Sequence, residues 1–308
     1  MRTSLRTINR VRSLPPPVSC LSACAPFIPG GRTAFSRTEL IVVLALTAMV
    51  STLLGAVVTK ARTLLREAGC AENLRQLGHA MSLYANQSHR KLPYAYIVYD
   101  NKHQVTWDSL LEPLVPAKAK AGDSPPTTVL LKPVPSVFKC PSDALGPAQW
   151  AQRNKLQRRS YSMPRHDMRP VNWPPGPKNG TGVGLYWTFG AKGEKPPSPQ
   201  IYNFKETNSQ AAVTLDMVLA PARTMLLTEQ ISSNNIARLG SGAFITTTLE
   251  HLAEDAVPTG HFERGQFNYL MVDGHVEPLF PEETVGPKGA AGSSYTAHFG
   301  LWTIRPDD

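Results

Sequence analysis

An uninterrupted apolar run near the N-terminus constrains the fold of this chain more than any other feature. Residues 40–58 read LIVVLALTAMVSTLLGAVV, and they contain no Asp, Glu, Lys, Arg or Pro. As an α-helix, a run of this length extends about 29 Å, which matches the roughly 30 Å thickness of the hydrocarbon core of a bilayer. The run therefore predicts a segment that crosses a membrane once.

The helical pattern continues beyond the charged residues that end the apolar run. After Lys60 and Arg62, apolar residues recur at spacings of three and four as far as Tyr84, with charged and polar residues between them. This spacing places the apolar side chains on one face of a helix. No Pro interrupts residues 35–87. We therefore predict one helix of about fifty residues, roughly 75 Å long, with a lipid-facing first half and a second half that packs on a folded domain.

Charge and composition divide the chain into three parts. A basic leader, residues 1–34, carries five Arg and no Asp or Glu, so five of the nine net positive charges lie there. Basic residues before an apolar helix are typical of a cytoplasmic N-terminus. The other charges are scattered and form no recognisable nucleic-acid module, so nucleic acid is not an expected partner. The long helix then occupies residues 35–88, and a globular domain occupies residues 89–308.

At the start of the long helix, Ala34 precedes Phe35, and Glu39 follows at the head of the apolar run. This pattern resembles the processing signal of prepilins and type II secretion pseudopilins. In that family a peptidase cuts before a Phe, which is then N-methylated, and a Glu four residues later heads the hydrophobic helix. Here the segment from Phe35 reads FSRTELIVVLAL. The family prefers Gly where Ala34 stands and an apolar residue where Arg37 stands. The resemblance implies cleavage between Ala34 and Phe35 and a role for Glu39 in assembly.

Further segments resemble pseudopilin-like proteins that carry a C-terminal His-x9-Asp-Gly signature. Residues 70–86 read CAENLRQLGHAMSLYAN, residues 137–143 read VFKCPSD, and residues 268–276 read NYLMVDGHV. The signature hairpin consists here of His261, Asp273, Gly274 and His275. Eleven residues rather than nine separate His261 from Asp273, as if two residues were inserted after the His.

Cys70 and Cys140 are the only cysteines after the leader, which holds Cys20 and Cys24. Outside the cytoplasm, Cys70 and Cys140 are candidates for a disulfide between the long helix and the loop around residue 140. The other interpretation is a pair of buried thiols. Two cysteines without Cys or His at short spacing fall short of the four ligands that zinc usually takes, so no metal or other cofactor is expected.

The sequence predicts a β-hairpin at residues 267–280. Two apolar runs flank Asp273 and Gly274, a pair that favours a two-residue type I′ turn. His251, His261, Asp273 and His275 also permit a metal or acid–base interpretation, but turn geometry alone explains an Asp at this position. No nucleophile elbow, H-E-x-x-H, P-loop or C-x-x-C motif occurs, so the chain is not expected to be an enzyme.

Together, the residues and the resemblance imply a pilin-like α+β fold, in which a long N-terminal helix packs on an antiparallel β-sheet with large loops. The implied function is that of a pseudopilin-like subunit of a type II secretion or type IV pilus-like filament. Expected partners are a prepilin peptidase, other pseudopilins or copies of itself, and an inner-membrane assembly platform. The expected location is the bacterial inner membrane, with a cytoplasmic N-terminus and a periplasmic domain.

Two alternatives remain open. One is a singly anchored envelope protein that binds a glycan or another ligand and does not polymerise, for which the aromatic segment 186–189 (YWTF) is the candidate surface. The other is an anchored hydrolase, which requires His261, Asp273 and His275 to converge in one pocket.

Overall fold

The structure is a computed structural model. It describes residues 36–98, 104–115, 131–167, 182–187, 213–254, 256, 258–285 and 300–304. The leader and the predicted cleavage site, Ala34 and Phe35, lie outside the described residues, as do residues 188 and 189 of the aromatic segment. The chain divides into two compact units, Met1–Leu54 and Gly55–Asp308.

A single helix, α1 (Arg37–Gln87), accounts for the predicted long helix. Its first turn is closed by a reciprocal cap: the Ser36 backbone N–H donates to Glu39 Oε2 at 2.9 Å, and the Glu39 N–H donates to Ser36 Oγ at 3.2 Å. This pairing satisfies two backbone donors that a helix start otherwise leaves free. The helix ends where His89 and Arg90 adopt left-handed φ values of 53° and 63°. Sequence analysis therefore located both ends within two residues.

The apolar segment at the start of α1 is exposed. Leu40 to Val58 include twelve large hydrophobic side chains that are each 43–65% exposed. Among the described residues, α1 is the one helix long and apolar enough to cross a membrane by length and composition. Exposed apolar surface of this extent is compatible with a single-pass anchor.

The described residues of the second unit form a mixed eight-stranded sheet. Strands follow the order β2-β1-β4-β3-β5-β7-β8, and β6 pairs with β3 beside this path. The strands are β1 (Tyr96–Val98), β2 (Gln104–Thr106), β3 (Tyr161–Asp167), β4 (Gly184–Trp187), β5 (Met225–Glu229), β6 (Phe244–Ile245), β7 (Phe267–Met271) and β8 (Val276–Leu279).

The prediction of an antiparallel sheet was therefore wrong for part of the sheet. β4 pairs in parallel with both β1 and β3, and β6 pairs in parallel with β3, while the remaining neighbours are antiparallel. Parallel neighbours require long crossover connections rather than hairpins, and the strands involved are far apart in the chain. Periodicity within one strand carries no information about such distant pairing.

The buried half of α1 packs on this sheet. Leu74, Leu77 and Met81 are almost fully buried and belong to the same core cluster as residues of β3, β5 and β7. Gly78 allows the closest approach, since a Cβ at this position would lie 3.0 Å from Leu270 Cδ1 of β7. The apolar stripe read from the sequence is therefore the face that buries the helix against the domain.

The described residues also include three short helices, α2 (Trp107–Leu111), α3 (Gln149–Arg153) and α4 (Pro281–Thr284), and several 3₁₀ turns. α2 is followed by one 3₁₀ turn, Glu112–Leu114. Trp107 is fully buried and meets Phe138 edge to face, with ring centroids 5.6 Å apart.

The predicted hairpin is formed by β7 and β8, but its turn differs from the predicted type I′. The Gly274 N–H donates to the Met271 carbonyl, and the Met271 N–H donates to the His275 carbonyl, both at 2.9 Å. Gly274 has a φ of 96°, whereas Asp273 is not among the residues with positive φ. The connection therefore has three residues, in which a type I turn is followed by a Gly in the left-handed region.

Candidate functional site

A disulfide joins the long helix to the loop that follows residue 138. Cys70 of α1 and Cys140 are both fully buried and bonded, with their Cα atoms 4.7 Å apart. Neighbouring bonds hold the two segments in register: Asn73 Nδ2 donates to the Lys139 carbonyl at 2.9 Å, and Tyr161 Oη donates to the Cys70 carbonyl at 3.2 Å. Of the two interpretations that the sequence left open, the structure therefore has the bridge.

A buried carboxylate lies beside this disulfide. Glu229, the last residue of β5, is fully buried. Its Oε2 accepts a hydrogen bond from the Asn268 backbone N–H at 2.7 Å and another from His261 Nε2 at 2.9 Å, and Asn268 Nδ2 lies 3.2 Å from both carboxylate oxygens. A buried carboxylate is costly without such donors, so these contacts make its position possible.

His261 reaches Glu229 from a 3₁₀ turn, Gly260–Arg264, that is attached to both neighbouring segments. Arg264 Nη2 donates to Glu67 Oε2 of α1 at 2.9 Å, and the Thr259 hydroxyl donates to the Ser142 carbonyl. The turn is therefore tied to the helix that carries Cys70 and to the loop that carries Cys140. As a result, His261 is buried beside the disulfide.

Four side chains converge at this point, and we call them the Cys–Glu–His cluster: Cys70, Cys140, Glu229 and His261. One potential ligand atom from each lies within 4.8 Å of those of the other three, and all four residues are buried. The His261 ring uses Nε2 toward Glu229, while its buried Nδ1 has no hydrogen-bond partner among the described residues. An unpartnered ring nitrogen at a buried site requires a specific explanation.

A second histidine, His251, is hydrogen-bonded to the backbone carbonyl of Glu229. The His251 ring stacks on Phe267 with centroids 4.3 Å apart. His251 Nδ1 lies 2.7 Å from the Glu229 carbonyl, and Nε2 lies 2.8 Å from Tyr269 Oη. A carbonyl only accepts, so Nδ1 donates and Nε2 accepts from the Tyr269 hydroxyl. Burial lowers the His251 pKa to about 4, so the ring is neutral near pH 7.

The other half of the predicted signature lies elsewhere. Asp273 and His275 sit at the exposed turn, where Asp273 Oδ1 lies 2.6 Å from His275 Nδ1 and accepts the His275 backbone N–H. His261 contacts Asn268 near the start of β7, whereas Asp273 lies in the turn beyond the other end of the strand. Three residues of β7 follow Asn268, a rise of roughly 10 Å. The three residues therefore do not converge in one pocket, and the condition for the hydrolase alternative is not met.

Buried ion pairs fix the loops around the cluster. Arg159 Nη1 donates to Asp108 Oδ1 at 2.6 Å, and Arg158 Nη1 donates to Asp143 Oδ1 at 2.9 Å, with all four side chains buried. Removing one partner of such a pair leaves an uncompensated buried charge. The Arg158–Arg159 segment therefore has a structural role.

Sequence reasoning missed Glu229 as a member of the site. A usable signal existed, because an acidic residue ends an apolar strand whose residues are all buried, and such a carboxylate needs partners. The sequence did not identify those partners, since Glu229 is separated from His261 by 32 residues and from Asn268 by 39.

The fold defines a mixed α+β protein with one long, partly exposed N-terminal helix and a disulfide that attaches the helix to its sheet domain. No family model, curated protein or solved structure matches the chain.

Proposed function

We propose that this chain is a pseudopilin-like structural subunit that assembles into a type II secretion or type IV pilus-like filament. The observation that carries the proposal is α1, whose apolar first part is exposed while its second half is buried in the domain. The first part of one helix can therefore act as a membrane anchor, while its second half holds the domain. A helix of this kind suits a filament subunit, because the apolar parts of neighbouring helices can pack together after they leave the lipid. The proposed role is assembly rather than catalysis.

The proposed route begins with cleavage between Ala34 and Phe35 by a prepilin peptidase, which also methylates the new amine. The helix then spans the inner membrane with its N-terminus in the cytoplasm and its domain in the periplasm. A buried disulfide supports this location, because disulfides persist in oxidising compartments. An assembly platform and other pseudopilins, or further copies of this chain, are the proposed partners.

Glu39 is the proposed assembly residue. Inside a bundle of apolar helices its carboxylate requires a cationic partner, and the amine of Phe35 from a neighbouring subunit would supply one and fix the register. In the isolated chain, Glu39 already has a local role, since it caps the helix through Ser36. The two roles differ chemically, because capping needs only a side-chain acceptor whereas the intersubunit pair needs a charge.

Substitutions at Ser36 and Glu39 separate these roles. Glu39→Gln keeps a capping side chain but removes the charge, so we expect normal membrane insertion and loss of filament incorporation. Glu39→Ala should give the same result. Ser36→Ala removes the hydroxyl that accepts the Glu39 N–H and retains the charge of Glu39, so this matched control should still be incorporated. The measurement is cross-linking of tagged variants into filaments that also contain the unmodified chain.

Incorporation of Glu39→Gln at the level of the unmodified chain would contradict the assembly role of the charge. A separate measurement tests the processing step: intact-mass and N-terminal peptide analysis of membrane-extracted protein, with and without a prepilin peptidase. A chain that begins at N-methylated Phe35 is expected. A chain that retains residues 1–34 in both samples would instead identify α1 as a plain anchor.

The ligand-binding alternative has one observation in its favour. A surface cavity of about 500 Å³ lies beside the disulfide loop, and its lining includes Val134, Lys139, Leu156 and Arg158. Tyr186 and Trp187 of the aromatic segment first considered for this role belong to β4, which lies between β1 and β3 in the sheet. A processed chain that stays monomeric during co-expression with an assembly platform would favour this alternative.

A further inference from the structure

We propose that the Cys–Glu–His cluster binds a zinc ion when Cys70 and Cys140 are thiols, so that zinc and the disulfide are alternative occupants of one site. The ligands are the two cysteine sulfurs, one ring nitrogen of His261 and a carboxylate oxygen of Glu229. This inference goes beyond the proposed assembly function and does not depend on it.

The ligand set has the composition and number that zinc requires. Thiolate, imidazole and carboxylate are its usual protein ligands, and structural sites are four-coordinate. Sequence analysis counted two ligands because it considered neighbours along the chain, whereas the fold adds one residue from β5 and one from the 3₁₀ turn. A site of this kind closes the coordination sphere with protein atoms alone.

The spacing is close to that of a tetrahedral site. Ligand atoms 2.0–2.3 Å from a zinc ion lie about 3.3–3.8 Å from one another. The four groups already lie within 4.8 Å of one another, so they must contract by about 1 Å while the two sulfurs separate. Cys140 lies in an irregular segment between a 3₁₀ turn and a β-turn, and its displacement therefore breaks no strand pairing.

The surroundings of the ligands favour a cation. His261 Nε2–H on Glu229 leaves Nδ1 with a lone pair, and this buried atom has no partner among the described residues. Asn268 holds Glu229 through its backbone and side-chain N–H groups. Hydrogen bonds to ligating groups orient them and raise metal affinity. The Glu229 carboxylate and the His261 ring are therefore already held beside each other before a metal arrives.

Exchange between the disulfide and the zinc-binding state is a two-electron reduction of the bridge. A newly made chain carries Cys70 and Cys140 as thiols, and binding of Zn²⁺ releases their two protons. The folded disulfide returns to the thiol state when a dithiol donates two electrons and two protons and becomes a disulfide itself. With a phosphine reductant, water supplies the two protons and the oxygen atom, and the product is a phosphine oxide.

Full-length protein in detergent, with Cys20→Ser and Cys24→Ser to remove the other thiols, allows a direct test. The protein is split into an oxidised sample and a phosphine-reduced sample, and Co²⁺ is titrated into each as a spectroscopic probe. We expect one Co²⁺ per reduced chain, with tetrahedral d–d bands and a thiolate-to-cobalt charge-transfer band that Zn²⁺ abolishes. The oxidised sample should show neither band.

Substitution of the histidines identifies the ligands. His261→Asn should weaken Co²⁺ binding by at least about 10-fold, the scale observed when even a supporting partner of a metal site is lost. His275→Asn, at the exposed turn, is the matched control and should bind as tightly as the parent. A reduced parent protein without the charge-transfer band would overturn the proposal, as would equal binding by the oxidised protein or by His261→Asn. The comparison of the two redox states needs no substitution in the cluster, so a misfolded variant would not prevent a decision.

Discussion

At the scale of single residues, the surroundings of His251 are unusual because its ring is buried on all sides and neutral. Both ring nitrogens are paired, one with the Glu229 carbonyl and one with the Tyr269 hydroxyl. Tyr269 remains protonated because burial, with a smaller contribution from Glu229, raises its pKa. Protonation of His251 therefore places a positive charge on a buried ring, beside a carbonyl and a hydroxyl that are already hydrogen-bonded to it.

The free energy of unfolding should consequently depend on pH through His251. The His251 pKa is about 4 in the folded chain, against an ordinary value of 6.5. Above pH 6.5 the ring is neutral in both states. As the pH falls from 6.5 to 4, the unfolded state takes up the proton first, so stability is lost, by about 3 kcal/mol in total. Denaturant unfolding between pH 7 and 4 measures this loss.

Comparison with variants isolates the contribution of His251 from that of carboxylates that titrate in the same range. His251→Gln should be less stable at pH 7 but should lose less stability on acidification. His275→Gln, at an exposed position, should follow the parent curve. Parallel curves for His251→Gln and the parent would show that His251 does not carry the effect.

At the scale of elements, the β7–β8 hairpin depends on one glycine. Gly274 has a φ of 96°, and a Cβ built there meets no atom within 4 Å. Gly274→Ala should therefore destabilise the domain through backbone strain alone, by about 1 kcal/mol. Gly146→Ala is the matched control, because Gly146 lies outside the positive-φ region and its nearest neighbour would be 3.8 Å away. Denaturant midpoints distinguish the two, and equal shifts would contradict the strain argument.

Local patterns predicted the elements well and their arrangement poorly. The 3.6-residue period and the absence of Pro located α1, and the apolar runs around Asp273 and Gly274 located the hairpin. Its turn type was wrong because a two-residue and a three-residue connection share the same Asp-Gly signal. The parallel pairing of β4 joins residues that are 90 positions apart on the β1 side and 19 apart on the β3 side, which no local period encodes.

The candidate site was only partly accessible for the same reason. Cys70 and Cys140 could be paired from the sequence because they are the only cysteines after the leader. His261 was singled out by its resemblance to the signature, but its partner was sought in Asp273 and His275. The partner in the structure is Glu229, brought beside it by the pairing of β5 with β7.

At the scale of the whole molecule, the disulfide is the strongest single constraint on the domain. It closes a loop with a sequence separation of 70 residues. By chain-entropy arguments, a loop of this length contributes about 4 kcal/mol by restricting the unfolded chain. Replacement of both cysteines, Cys70→Ala with Cys140→Ala, should lower the free energy of unfolding by a similar amount. Denaturant unfolding of the full chain in detergent measures the difference.

Peptide mapping without reduction supplies the control for that experiment. Peptides that contain Cys70 and Cys140 should be recovered cross-linked from the parent protein. Recovery of both as free thiols, together with unchanged stability of the double variant, would mean that the bridge does not form in the purified protein.

The bridge also determines how a pulling force passes through the domain once its packing is lost. A covalent path then runs from Cys70 of α1 directly to Cys140 and bypasses the chain between these residues. While the bond is intact, the segment between Cys70 and Cys140 cannot extend. After reduction, the unfolded segment would add roughly 240 Å of contour length. Under load, the oxidised protein would therefore stretch less before it ruptures than the reduced protein.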